Sequence, residues 1–397
     1  MDKLSLADVE VRGKKVFVRV DFNVPLEAGS IADDTRIRAA LPTLKALLAA
    51  EATLVVASHL GRPKGGPNPK ESLAPIAARL QELLGREVQF VPEVVGPEVS
   101  RRVAALLPGQ VLMLENLRFD KGEEKNDATF ARALAQGIEV YVDDAFGCVH
   151  RAHASVAAIT REVPVAVMGL LVRKEVEALR RVMERPHKPM ALILGGAKVA
   201  DKIPLIEGLL PKVDELLIGG GMAYTFLAAL GVSVGLSRVE KDSLEAAGKV
   251  LDEAERRGIE VSLPVDHIAA AKPEAGIATQ VAESDEFPAD LMGLDIGPIT
   301  RLRFEEKIAE SRTMVWNGPM GVFEIPEFAQ GTIAVAQAVA ASLGYSLVGG
   351  GDSVAALRLA GVEERIDHVS TGGGATLEFL AGDKLPGLEA LSDRKAT

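Results

Sequence analysis

One cysteine, Cys148, and one tryptophan, Trp316, occur among 397 residues. A single cysteine excludes an intrachain disulfide and any multi-cysteine metal cluster, and it suits a reducing cytoplasm. Aromatic residues make up only 4%, too few for a platform on which single-stranded nucleic acid would stack. The net charge of −11 has the wrong sign for a general nucleic-acid binder. No apolar run approaches the roughly 20 residues that cross a bilayer, and the opening MDKLSLADVE has no signal-peptide core. We therefore expect a cytoplasmic protein with neither nucleic acid nor membrane as partner. Short catalytic signatures are missing as well. There is no G-x-x-x-x-G-K-[ST] loop, no protein-kinase loop set and no G-x-S-x-G elbow. No glycine run reads G-x-G-x-x-[GA]: Val354 and Leu377 occupy the last place in two of them, which argues against a dinucleotide fingerprint.

What is abundant is glycine at the ends of apolar stretches. Runs stand in ELLIGGGMAYTF (Gly219, Gly220, Gly221), SLVGGGDSVAAL (Gly349, Gly350, Gly351) and DHVSTGGGATLEFL (Gly372, Gly373, Gly374), with a related element, MALILGGAKVADK, carrying Gly195 and Gly196. Each reads as a buried strand that breaks at glycine and continues into a helix. Without a Cβ in the way, backbone N–H groups and a helix N-terminus can approach an anion. The plainer alternative for any one run is tight strand–helix packing.

The length favours two domains. Hydrophobic residues at 48% and charged residues at 25% are ordinary for a globular chain. Near-continuous apolar strands such as KKVFVRVDF, ATLVVASH, QVLMLENLRF, IEVYVDDAF and IEVSLPVDH alternate with Ala/Leu-rich helical stretches. That alternation predicts an α/β fold with parallel sheets covered on both faces. The charged, helical stretch 167–189 is the expected boundary, reading as a helix shared between domains or as an ordinary surface helix.

Charge is divided unevenly. Residues 1–170 hold 21 Lys and Arg against 22 Asp and Glu, a net of −1, and the remaining residues carry the other −10. An anionic ligand therefore belongs more naturally to the first half. There, VRVDFNVP places Asp21 and Asn23 just past a strand, DDTRIRAALP places Arg36 at a helix start, SHLGRPKGG carries His59 and Arg62, LENLRF ends in Arg118, and CVHRAHAS supplies Arg151. If the strands are parallel, these ends share one sheet edge and five cationic residues face one crevice. Arg suits that place because its planar fork binds phosphate and carboxylate bidentately. Singly, each would read as a surface residue or ion-pair partner. His150 and His153 read as structural, since no third metal ligand is near.

In the second half, GGAKVADK offers Lys198 and Lys202, four apart and expected on one helix face. WNGPMGVFE offers Glu324, and GGGDS offers Asp352 and Ser353. A carboxylate beside a glycine loop could hold Mg²⁺ on a nucleotide or cap the next helix.

DFNVP, SHLGRP, LENLRF, HRAHAS, GGAKVADK, GGGMAYTF, LDIGP, WNGPMGVFE, GGGDS and TGGGA occur in the order found in phosphoglycerate kinases, and the resemblance runs from about Val16 to Leu391. It implies a monomer of two Rossmann-like, three-layer α/β domains with parallel sheets joined by a hinge helix. Residues 1–170 would bind 3-phosphoglycerate or 1,3-bisphosphoglycerate, with segment 382–397 packing back on them, and residues 171–381, hinge helix included, would bind ADP or ATP. The implied reaction is reversible, Mg²⁺-dependent phosphoryl transfer from 1,3-bisphosphoglycerate to ADP, a step of glycolysis and gluconeogenesis. The glycerate site would comprise Asp21, Asn23, Arg36, His59, Leu60, Gly61, Arg62, Arg118 and Arg151. The nucleotide site would comprise Lys202, Gly293, Glu324, Gly350, Gly351, Asp352 and Ser353, with Asp352 on the metal. Arg36 and Lys198 would flank the phosphoryl group in flight, with Gly373 and Gly374 beside it. The chain departs from the family in places: His267 stands where an aliphatic residue is usual, Leu291 where Trp is common, Ser353 for Thr and Thr376 for Ser. Two other readings are a nicotinamide-dependent dehydrogenase on the same architecture, against which the missing G-x-G-x-x-G speaks, and a non-catalytic binding protein derived from the kinase.

Overall fold

The structure, a computed structural model, describes residues 2–27, 29–63 and 66–394. The chain divides into two compact units, Met1–Val176 with Lys384–Thr397, and Glu177–Asp383. The division falls inside the helix Leu170–Glu184. Of the segments singled out above, Lys64, Gly65 and residues 395–397 lie outside the described residues.

The first unit contains β1 (Lys15–Val20), a short hairpin of β2 (Leu26–Glu27) and β3 (Ser30–Ile31), then β4 (Thr53–Ala57), β5 (Gln89–Phe90), β6 (Val111–Met113), β7 (Val140–Asp144) and β8 (Val165–Met168). Six of them form one sheet in the order β5-β6-β4-β1-β7-β8, and every pair in it is parallel. β4 and β7 are buried along their whole length, as expected where helices cover both faces. Each buried Val or Leu contributes about 1.5–3 kcal/mol, and that apolar wall holds the strand ends in place. The chain moves outward from β1 to β4, then crosses to β7 on the other side. Such a switch point opens a crevice at the carboxyl ends of the strands. β5 and β8 were not among the expected strands. β5 has two residues, and β8 follows Pro164 and ends just inside the stretch read as boundary.

The second unit contains β9 (Met190–Leu194), β10 (Glu215–Ile218), β11 (Glu260–Ser262), β12 (Asp266–Ala270), β13 (Gln280–Glu283), β14 (Met292–Ile296), β15 (Thr313–Asn317), β16 (Tyr345–Val348) and β17 (His368–Val369). Its main sheet has the order β11-β10-β9-β15-β16-β17, all parallel. Counted along the chain this is 3-2-1-4-5-6, the doubly wound order of dinucleotide-binding folds, reached without their glycine fingerprint. A second sheet, β13-β12-β14, is antiparallel, a departure from the all-parallel expectation. The segment IEVSLPVDH splits into β11 and β12 because Pro264 between them cannot donate to a ladder.

The segment from Lys384 belongs to the first unit. Gly387 N–H donates to Val149 O at 2.8 Å, Leu4 N–H to Ser392 O at 2.9 Å and Ser392 N–H to Ala166 O at 2.9 Å. Arg394 Nη2 reaches both Asp8 carboxylate oxygens at 2.7 Å. Among the described residues no helix is long and apolar enough to cross a membrane.

Candidate active site

In the first unit the strand ends do gather the expected residues. Arg36, in the first turn of the helix Thr35–Ala49, donates from Nη1 to Asp21 Oδ2 at 3.0 Å and to Asn23 O at 3.2 Å. Asn23 Oδ1 accepts the Gly61 N–H at 2.8 Å, and Gly61 O accepts from Arg118 Nη1 at 2.6 Å. Gly61 has φ +64°, and a Cβ there would push the Glu71 carboxylate aside, which favours glycine. Glu71 Oε1 accepts the Arg62 N–H at 2.9 Å, while the Arg62 and Arg151 side chains are exposed. Asn116 braces the loop from below, donating from Nδ2 to Leu60 O and Glu71 O at 2.7 and 2.9 Å. Arg118 is 4% exposed. Its Nε lies 3.3 Å from Glu124 Oε1 but is not aimed at it, which leaves a buried N–H without a hydrogen-bond partner. Burial, with Arg151 and Arg19 adding to it, lowers the pKa of Arg118. An anion here would relieve both conditions.

Arg19 was missed by the sequence reading. It stands in the middle of the buried run VFVRV and is 1% exposed, and a charge inside such a run was a usable signal. Its Nε donates to Ser155 Oγ at 2.8 Å and its Nη1 to Val20 O, while Nη2 lies 3.3 Å from His59 Nδ1 and 3.7 Å from Cys148 Sγ. Ser155 Oγ donates onward to Glu123 Oε1 at 2.6 Å. This corrects the count of cations. Burial, then Arg19, Arg118, His153 and Arg36, holds the His59 pKa well below its usual value. His59 is therefore a neutral hydrogen-bonding group, and the fifth charge of the crevice is Arg19. His153 is likewise held down, to about 4, by burial and by Arg118 and Arg19.

In the second unit all four glycine runs follow strands and precede helices, but they do two different things. Gly195 N–H donates to Asn317 O, Gly196 N–H to Pro319 O and Gly220 N–H to Met320 O, at 3.0, 2.7 and 3.0 Å. These N–H groups interlock the loops after β9, β10 and β15 and do not point at a ligand, so the plainer packing reading holds for these two runs. The other two open helices. Gly350 (φ +95°) precedes Gly351–Ala360, and Gly373 (φ +53°) precedes Gly374–Ala381. Asp352 lies exposed in the first turn behind the Gly350 cap, so it is not the cap itself. Ser353 Oγ accepts the Gly318 N–H at 2.7 Å, and Asn317 Nδ2 donates to Gly349 O at 2.6 Å.

Lys198 and Lys202 do not share a helix face. With Pro204 in its first turn, the helix begins only at Ile203, and both lysines precede it. Lys198 is exposed, whereas Lys202 Nζ donates to Asn317 Oδ1. Burial lowers the Lys202 pKa against the pull of Asp201 and Asp352. Asp352 is thus close enough to be felt at Lys202, and it offers an exposed carboxylate at a helix start. That donor chemistry fits a magnesium ion shared with phosphate oxygens. Glu324 is exposed in the turn after β15, and Gly293 lies on β14.

Known proteins resemble the chain over nearly its whole length. The family model described as phosphoglycerate kinase matches residues 6–383. The phosphoglycerate kinase of Acidobacterium capsulatum is 55% identical over 404 residues, covering 99% of this chain and 100% of that protein. That of Thermus thermophilus is 54% identical, covering 98% and 99%. Among solved structures, phosphoglycerate kinase from Coxiella burnetii superposes with a TM-score of 0.91 at 41% identity, covering 98% of each chain. The enzyme from Pyrococcus horikoshii gives 0.84 at 34%, again over 98% of each. On sequence and fold, the chain belongs to the phosphoglycerate kinase family of phosphotransferases.

Proposed function

We propose that this chain moves a phosphoryl group between 1,3-bisphosphoglycerate and ADP, giving 3-phosphoglycerate and ATP, and that each unit holds one substrate. The first unit takes the glycerate through Arg36, Arg62, Arg118 and Arg151, with Asn23, Asp21, His59, Leu60 and Gly61 shaping the crevice. The observation that carries this reading is Arg118, a buried guanidinium with an unpartnered Nε in a crevice already crowded with cations.

The second unit takes the nucleotide between Lys202, Gly293, Glu324 and the helix start at Gly350–Ser353. Asp352 would hold Mg²⁺ with the nucleotide phosphates, and the ion supplies neutralisation of phosphate charge when bound. Arg36 and Lys198 are the cations that meet the phosphoryl group, and Gly373 and Gly374 present backbone N–H groups to it. In the ATP-consuming direction the nucleophile is a carboxylate, with a pKa near ~4, so it is already ionised and no general base is required. What the residues must do is position two polyanions and neutralise charge in flight. We further propose that the chain works as a monomer in the cytoplasm, which sedimentation and cell fractionation would test. A coupled assay for ATP formation from 1,3-bisphosphoglycerate and ADP tests the activity. Absence of ATP with folded protein and Mg²⁺ present would overturn it.

A further inference from the structure

Both edge strands of the first unit's sheet are met by other parts of that unit. Beside β8, Ser5 bridges to Met168 and Ser392 N–H donates to Ala166 O. At β5, Arg102 Nη1 donates to Phe90 O at 3.3 Å. In the second unit the main sheet begins with β11, and this edge is different. β9, β10 and β15 are buried along their whole length, whereas Glu260 of β11 is exposed and Val261 and Ser262 are half-buried.

The register identifies the open groups. In a parallel pair, one residue turns both backbone groups to its neighbour and the next turns both away. β11 pairs with β10 alone, and Glu260 N–H donates to Asp214 O at 3.1 Å. Val261 therefore turns its N–H and carbonyl away from β10. No other strand among the described residues pairs with them.

Val261 lines a groove of about 790 Å³. The walls are apolar: Leu227, Leu230 and Leu251 come from the helices Ala223–Ala229 and Leu244–Arg257, and Ile299 from the helix Pro298–Glu310. Leu230 is 59% exposed and Ile299 49%, so apolar surface here lies open to water. The charges are unequal, with Glu255, Glu283 and Asp285 against Arg303. The groove lies within the second unit, and none of the residues assigned above to the nucleotide lines it.

We propose that an extended peptide docks in this groove as an added strand on β11. Its backbone meets Val261, apolar side chains at alternate positions pack on the leucines, and basic ones between them meet the three carboxylates. In strand addition the main chain supplies affinity, and pockets for alternate side chains supply specificity. The excess of carboxylates repels an acidic segment and favours Lys and Arg. A small apolar molecule would fill the walls but leave the Val261 groups unbonded and the carboxylates unmatched.

The probe is an acetylated, amidated heptapeptide of alternating Lys and Val, titrated calorimetrically into the full-length protein. We expect saturable one-to-one binding tighter than about 1 mM. Glu in place of Lys should abolish it. Successive amides of a strand point to opposite sides, so only one set faces β11. N-methylation of the Val amides in one peptide and of the Lys amides in another should weaken one by about fivefold or more, the scale of a backbone hydrogen bond, and spare the other. Val261→Pro removes the outward N–H without touching the β10 ladder and should cost about fivefold. Glu283→Lys combined with Asp285→Lys should weaken the Lys peptide by about tenfold and admit the Glu peptide. No saturable binding would overturn the proposal. Equal losses in the two methylated peptides would do so too, since the groove would then take any apolar cation. A concentration-dependent dimer in sedimentation that Val261→Pro abolishes would give the edge to a second copy of this chain instead. Should Val261→Pro fail to fold, the methylated peptides and the double lysine variant still decide.

Discussion

On the proposed reading the two units would hold anions by opposite means. The first would use side chains: Arg36 lies at a helix start and Arg118 follows β6, Arg151 is near enough to be felt at Arg118, Arg62 is exposed on the loop after β4, and Arg19 is buried. The second would use backbone, with two helices opened by glycines at φ +95° and +53° and one partly buried lysine. Side-chain cations repel one another while the crevice is empty. Burial and neighbouring arginines lower the pKa of both His59 and Arg118. Helix starts carry no such penalty, because their partial charges belong to the fold. At Lys202 the nearby charges, Asp201 and Asp352, work to keep it protonated. A crowded arginine crevice suits a small ligand whose own charges must be matched closely. Glycine-opened helices suit a chain of phosphates held along its length.

The largest test of this contrast lies where the phosphoryl group moves. Arg36→Ala and Lys198→Ala should each lower kcat by about a thousandfold or more, the scale of losing a cation from phosphoryl transfer, with a much smaller rise in KM. Steady-state kinetics in both directions would show it, and near-normal kcat in either variant would remove that residue from the transition state.

Gly350→Ala comes next. At φ +95° its Cβ would also lie 2.8 Å from Asn317 Nδ2, and strain of about 1–3 kcal/mol should weaken ADP binding by roughly ten- to a hundredfold while leaving 3-phosphoglycerate binding alone. Arg151→Ala and Arg62→Ala should do the reverse by about tenfold each, since a charged hydrogen bond is worth about 1.5–3 kcal/mol and exposed side chains keep less of it. Calorimetric titration of each variant with each ligand reads both, and crossed losses of similar size would break the division of labour.

The smallest expected effect is on acid stability. His267 is held near 4 in the fold against about 6.5 in an unfolded chain. The unfolded state therefore binds the extra proton first, so stability present above pH 6.5 is lost as pH falls toward 4. His267→Phe should flatten that loss, by about 1 kcal/mol at pH 5.5. Asp144 and Asp295, both raised by burial to about 7, act in the other sense: their contribution is full below about pH 4 and is lost as pH rises through 7. Chemical denaturation of both proteins from pH 4 to 8 would separate the two trends.

The side-chain site was readable in the sequence because its residues are chemically conspicuous and, Arg36 at a helix start apart, follow apolar strands. Asp21, Asn23, Arg36, His59 and Arg118 meet because β1, β4 and β6 are parallel neighbours. Arg19 escaped because only its position inside a strand, not a motif, marks it. The backbone site was less readable. Glycine runs look alike in sequence, yet those at 195–196 and 219–221 lock loops together while those at 350 and 373 open helices. Nothing local distinguishes them, since their partners, Asn317, Pro319 and Met320, come from a distant strand end. Lys198 and Lys202 were misplaced because four-residue spacing suggests a helix face, whereas Pro204 delays the helix to Ile203.

The return of the last residues to the first unit bears on how the chain is made. The ribosome releases Met168, at the sheet's edge, long before Ser392, whose N–H closes on Ala166 O and whose carbonyl accepts from Leu4. At roughly 5–20 residues per second the whole second unit emerges in between, over some tens of seconds. Throughout that interval the nascent first unit holds an unfinished edge at β8, the kind of edge on which neighbouring strands can wrongly pair. A chaperone that shields nascent strands should therefore matter most in that window, and a stop codon placed after Asp383 should leave a first unit that aggregates during synthesis.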